Sequence, residues 1–174
     1  MTTGLRNISE IIKYGILAGA AGGLAEIAWV SLYAVVTGGD AAILARGVTT
    51  AAGLTVLLPV APVTMGIVVH MIVAAVLGIA LAGLWQALAR RHGTGSLYAV
   101  ALAALAGVWV LNFFVVLPTI SPAFVHLVPY PVSLLSKLLF GLAAAETLRR
   151  CAMIEVARTP VRVRVTNRTR HPAP

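Results

Sequence analysis

DAAILARGVTTAAGLTVLLPVA, residues 40–61, is the stretch on which the fold turns. It is almost apolar enough to cross a membrane, and counting it as a crossing changes the side of every loop that follows. Arg46, Gly47, Gly53 and the Thr49–Thr50 pair interrupt it, and Pro59 and Pro62 end it. Charge arbitrates. If the segment does not cross and the N-terminus is inside, Arg6, Lys13, Arg90, Arg91, Arg149, Arg150, Arg158, Arg162, Arg164, Arg168 and Arg170 share one side. Arg46 is then alone in the opposite loops, and Lys137 falls within a helix. That asymmetry is what the positive-inside rule requires, and a crossing at 40–61 would break it. The segment therefore reads as an interfacial or re-entrant helix on the outer face, with Asp40 as its N-cap.

Around it lie four stretches that suit a hydrocarbon core of roughly 30 Å, which takes about 20 apolar residues in a helix. They are residues 14–37, 63–88, 97–117 and 132–148. The first carries one charge, Glu26; the second has none but includes His70; the third has none; the last includes Lys137 and Glu146 and ends on Arg149 and Arg150. Composition agrees: the 174 residues are 60% hydrophobic and 10% charged, where a soluble domain has about a quarter charged. Mean hydropathy is +0.97. Period-two alternation within the spans is absent, which excludes a transmembrane barrel. The expected fold is an all-α integral membrane protein, a four-transmembrane-helix bundle over residues 1–158, with a basic cytoplasmic tail at 159–174. The formal net charge of +8 marks orientation, not nucleic-acid binding. A cleaved signal peptide is not expected, because the first apolar run continues through residues 27–36. In size and hydropathy the chain resembles small four-span bacterial membrane proteins, which implies the bacterial inner membrane; the charge asymmetry puts both termini on the cytoplasmic side.

Small residues recur every fourth position. Gly15, Gly19 and Gly23 form such a stripe in the first span, with Gly22 beside it. Gly66, Ala74, Gly78 and Ala82 form one in the second, and Ser133, Gly141 and Ala145 one in the fourth. These stripes let helix backbones approach where lipid supplies no hydrophobic drive. His70 lies on the second stripe, Lys137 four residues before Gly141, and Glu26 four after Gly22. At about 1.5 Å per residue, Glu26 is roughly 16 Å from the outer end of its span, His70 about 12 Å, and Lys137 and Asn112 about 8 Å. Glu26, His70, Asn112 and Lys137 thus form a candidate polar site in the outer half. A Glu26–Lys137 ion pair is expected there, since unpaired charge in the membrane is costly.

Other chemistry is sparse. No cofactor is expected, and His70 reads first as a hydrogen bond across helices; His70 and His126 are the outer-side histidines that haem b ligation would use, and His70 is also a candidate for a quinone headgroup. Cys151 is single, so neither a disulfide nor a zinc site is expected. There is no P-loop, HExxH or CxxC. The connection at 118–131 carries Pro118, Pro122, Pro129 and Pro131, which forbid a long helix, and places Phe124, His126 and Tyr130 at the interface. In the tail, Val161, Val163 and Val165 alternate with Arg162, Arg164 and Thr166. That pattern fits a strand added to a partner's sheet edge, a polybasic segment on anionic lipid, or a disordered terminus.

Two functions remain open on the sequence. One is a small non-catalytic subunit of a larger membrane complex, of the respiratory or redox kind, with other membrane subunits or a second copy of the chain as its partners. The other is a small transporter or channel for a proton or small solute, with a haem b or quinone anchor as a third.

Overall fold

The computed structural model describes residues 7–54, 60–92 and 97–158, and their side chains except those of 89–92 and 155–158. The basic tail, with its expected strand or lipid contact, lies outside the described residues, as do Arg6 and Pro59. Among the described residues there is no strand. Four helical stretches are long and apolar enough to cross a membrane, over Ile8–Thr37, Pro62–Leu88, Leu97–Ile120 and Tyr130–Ile154. The chain is an all-α, multi-pass membrane helix bundle.

Helix α1 (Ile8–Thr37) ends where Gly38 takes a left-handed φ of 70°. The Gly39 N–H then turns back to the Ala34 carbonyl at 2.7 Å, which a side chain at Gly38 would resist. Helix α2 (Ala42–Ala51) is only ten residues long. At about 15 Å it is too short to cross, and it occupies less than half of residues 40–61, because the chain turns at Gly53 with φ 70°. Helix α3 (Pro62–His92) starts on a proline, whose missing N–H costs nothing at a helix start.

Helix α4 (Leu97–Leu111) runs into a π-turn at 112–116 and resumes as α5 (Leu117–Ile120). The Leu117 N–H reaches back five residues to the Asn112 carbonyl. Pro118 explains the change: it has no N–H for the Phe114 carbonyl, and its ring crowds that group. The helix therefore continues past a proline expected to stop it. After a 3-10 turn at Pro122–His126, α6 (Tyr130–Arg158) returns through the bundle.

Helix α1 lies against α3 on one side and α6 on the other, and α4 lies beyond α6. Toward the end where α1 begins and α6 finishes, one core joins all four: Tyr14 and Ala18, Leu81, Ala82 and Trp85, Leu97, Ala101 and Leu105, and Phe140, Ala144, Ala145 and Leu148. Glycine makes it possible. A Cβ on Gly15 would lie 2.5 Å from Ile79 Cα, on Gly19 2.7 Å from Ala75 Cα, and on Gly78 2.5 Å from Gly19 Cα. Gly22 admits the Phe140 ring, 2.7 Å from where its Cβ would stand. Gly141 is different, in ordinary contact with the Ala101 carbonyl oxygen at 3.4 Å. The Tyr98 hydroxyl donates to Glu146 Oε2 at 2.5 Å, and Arg149 and Arg150 also bond that carboxylate.

At the other end the helices diverge. A second core holds Trp109, Phe113, Leu117 and Val125, with Phe124 and Leu134 against them, and contains no α3 residue. Helix α2 lies on α3 instead: a Cβ on Gly66 would fall 2.7 Å from the Ala45 carbonyl carbon. Thr49 is fully buried and donates to the Pro62 carbonyl.

Candidate binding cavity

The space left between these elements is a cavity of ≈ 320 Å³ at the α2 end of the bundle. Its back wall is α1 and α6, its roof α2 and the 3-10 turn, and its sides α3 and the start of the π-turn. Phe124 and Leu127 meet α2 at Gly47, where a Cβ would stand 2.9 Å from the Phe124 ring. The walls are largely apolar, and into them project Glu26 from α1, His70 from α3, Asn112 from the π-turn and Lys137 from α6. Counted from the helix ends seen here, these lie about 16, 12, 12 and 10 Å deep. The four residues grouped by depth in the sequence thus line one space.

Glu26 is the centre. Its side chain is 5% exposed, against 17% for Lys137 and 25% for His70. Lys137 Nζ lies 2.7 Å from Glu26 Oε1, and the Ser136 hydroxyl donates to the same oxygen at 3.2 Å. Ser136 and Lys137 are adjacent on α6, so one helix turn supplies both partners. His70 Nε2 sits 3.7 Å from Glu26 Oε2, too long for a hydrogen bond. It is 3.3 Å from the Gly23 carbonyl. A carbonyl only accepts, so that bond needs the proton on Nε2. Gly23 keeps the approach open, because a Cβ there would press on Ala74 Cβ at 2.8 Å.

The pair carries no net charge, and burial makes each half dependent on the other. Lys137 has three donors, and one is directed at Glu26. Asn112 is half-buried, and among the described residues its amide has no hydrogen-bond partner. The cavity therefore presents spare donors on an apolar wall. Two tryptophans hold its frame. Trp29 Nε1 donates to the Val132 carbonyl at 3.1 Å, tying α1 to α6. Trp109 Nε1 donates to Ser133 Oγ at 3.0 Å, and Ser133 passes its own proton to the Tyr130 carbonyl at 3.0 Å.

His126 is exposed and is not among the residues lining the cavity, so the structure does not bring it to the site of His70. Sequence reasoning missed Ser136, whose only signal is its place beside an intramembrane lysine. It also missed α2 as a wall, contributing Ala41, Leu44, Ala45 and Val48. No protein-family model, curated protein or solved structure matches the chain.

Proposed function

We propose that this chain is a small transporter or carrier that binds a small solute inside the membrane, at the cavity formed around Glu26, His70, Asn112 and Lys137. One observation carries the reading: each of the four spans sends a polar side chain into the same cavity of ≈ 320 Å³. Protein interiors otherwise fill to nearly crystal density. A bundle whose task is only to sit against other subunits has no use for a hollow around its most costly charges. The sequence alone favours a non-catalytic subunit of a larger complex; the cavity moves the weight to a binding site. With the basic residues facing the cytoplasm, the site lies in the outer half of the membrane. Glu26 and Lys137 offer both signs together, so a solute is held by hydrogen bonds and shape more than by net charge.

Ligand-induced stabilisation tests this. The purified chain in lipid nanodiscs is heated with a panel of small molecules, both water-soluble and lipid-soluble. A ligand at a hundredfold excess over its Kd stabilises by about 2.7 kcal/mol, which raises Tm by about 5 °C or more in a chain this size. The shift should vanish in Ser31→Phe, which fills the cavity from α1 without touching the ion pair. No shift from any compound, or an equal shift in Ser31→Phe, overturns the proposal.

A further inference from the structure

The binding reading leaves open what the cavity holds and how it is reached, and the geometry bears on both. The water-facing side is covered by α2, which is fixed on α3 through Gly66, Ala45 and Thr49 and meets Phe124 and Leu127 at Gly47. The side toward the chain ends is closed by the four-helix core. The back is α1 and α6, joined by Glu26, Ser136 and Lys137. What remains open is the outward side of α3 at its start, and the second core, which holds no α3 residue, does not cover it. Of the described residues lining the cavity, the one exposed is Ile67 of α3, 42% accessible. Ile67 is five residues inside the start of α3, about 8 Å along the helix axis. At that depth an opening beside a membrane helix faces hydrocarbon rather than water.

Size and chemistry narrow the occupant. A volume of ≈ 320 Å³ is about twice the roughly 150 Å³ of an engineered apolar cavity that takes up benzene, so one substituted ring fits. Ile27, Val30, Val48, Val63 and Phe113 make the wall apolar. Glu26 and Lys137 neutralise each other, so an anion would compete with Glu26 for the ammonium, and a cation would meet Lys137. The spare groups are the Asn112 amide and the remaining ammonium protons, which suit an uncharged oxygen acceptor.

We infer that the cavity, if it is the binding site proposed above, is filled sideways from the bilayer past Ile67 on α3. Its occupant is an uncharged, ring-sized lipophile carrying a carbonyl or hydroxyl oxygen, of the quinone or phenol type, with that oxygen directed at Asn112 and Lys137.

The test uses the full chain in nanodiscs and an azide-bearing benzoquinone as photolabel, with an unlabelled short-chain benzoquinone as competitor. Labelling is expected to saturate, to fall on residues 63–70 of α3 and on Asn112 and Phe113 of the π-turn, and to be displaced by the competitor. Asn112→Leu removes one hydrogen bond to the oxygen and should weaken binding up to about tenfold. Ile67→Trp narrows that opening from a lipid-exposed position and should slow labelling by tenfold or more. Leu142→Trp, lipid-exposed on α6 and away from the cavity, should change neither. Saturable labelling at an unchanged rate in Ile67→Trp overturns the sideways route. Unsaturable labelling spread along lipid-facing residues overturns the lipophile class. If water-soluble compounds then still raise Tm in the thermal assay, the binding reading stands without this inference; if they do not, both fall.

Discussion

The two ends of this bundle meet the same problem in opposite ways. Lipid gives helices no hydrophobic reason to associate. In the half nearest the chain ends, Gly15, Gly19 and Gly78 bring α1 and α3 into backbone contact, and Leu81, Trp85, Phe140 and Leu148 fill what remains. In the half under α2, α4 leaves α3, a cavity remains, and α1 and α6 are joined through a carboxylate, an ammonium and a hydroxyl. The first half is held by shape and the second by charge. Shape tolerates no added atom; charge tolerates a gap but not a missing partner. That division assigns stability to one end and chemistry to the other, and it can be broken by substitutions at each.

The largest effect belongs to the close-packed half. Gly19→Leu drives a side chain into the Ala74 carbonyl and Ala75 Cα, so α1 and α3 must separate. Unfolding in mixed micelles should show a loss of about 3 kcal/mol or more. Gly107→Ala is the control, since a Cβ there meets nothing within 4 Å; it should be neutral or gain up to about 1 kcal/mol of helix propensity. Equal losses at the two glycines would show that close approach is not what holds this half.

Next comes the charged half. Glu26→Gln or Lys137→Met leaves one buried charge unpaired and should cost about 3 kcal/mol. The double variant should recover most of that loss while losing the ligand-induced rise in Tm. Recovery of stability together with retained ligand binding would make the pair a structural latch and detach it from the cavity's function.

How far this contrast could be read in advance depends on what a helix fixes by itself. Span number was legible, because crossing length and loop charge are properties of the chain alone. So was the common level of Glu26, His70, Asn112 and Lys137, because rise per residue is constant. Partner choice was not legible. Gly66 and Gly78 sit on one four-residue stripe, yet such a stripe turns about 40° per step. Over three steps it swings by about 120°, so Gly66 serves α2 and Gly78 serves α1. Ser136 reaches a residue 110 positions away, and nothing local announces that. The hollow itself was invisible, because it arises between α1, α2, α3 and α6, and no pattern within one helix encodes a gap between several.

A smaller effect probes how α4 is held once it has left α3. Trp109→Phe keeps the ring beside Phe113 but removes the donor to Ser133. One neutral hydrogen bond predicts a loss of about 1 kcal/mol in the same unfolding assay, with the cavity intact and ligand-induced stabilisation retained. Loss of binding at so small a cost would mean that this bond sets the width of the cavity.

The smallest expected effect concerns the roof. Asp40 Oδ1 accepts the Ala42 N–H at 2.8 Å and Oδ2 the Arg46 guanidinium at 2.7 Å; the N-cap is Ala41 rather than the Asp40 expected from the sequence, and Asp40 satisfies the first helical N–H from the residue before that cap. The backbone bond first, and Arg46 second, hold its carboxyl below the ordinary value of 3.8. A carboxyl with a depressed native pKa stabilises fully above that ordinary value, and the contribution fades as pH falls from there through the native pKa. Asp40→Asn should therefore differ slightly from the parent at pH 7, with the difference shrinking below pH 3.8, as read by amide exchange in α2. The roof should nevertheless stay in place in acid, because Gly66 against Ala45 and Thr49 on the Pro62 carbonyl hold α2 without any ionisable group. Binding in Asp40→Asn should match the parent. If the variant instead loses ligand-induced stabilisation, the cavity's cover depends on surface charge rather than on shape, and α2 belongs with the charged half as a movable part.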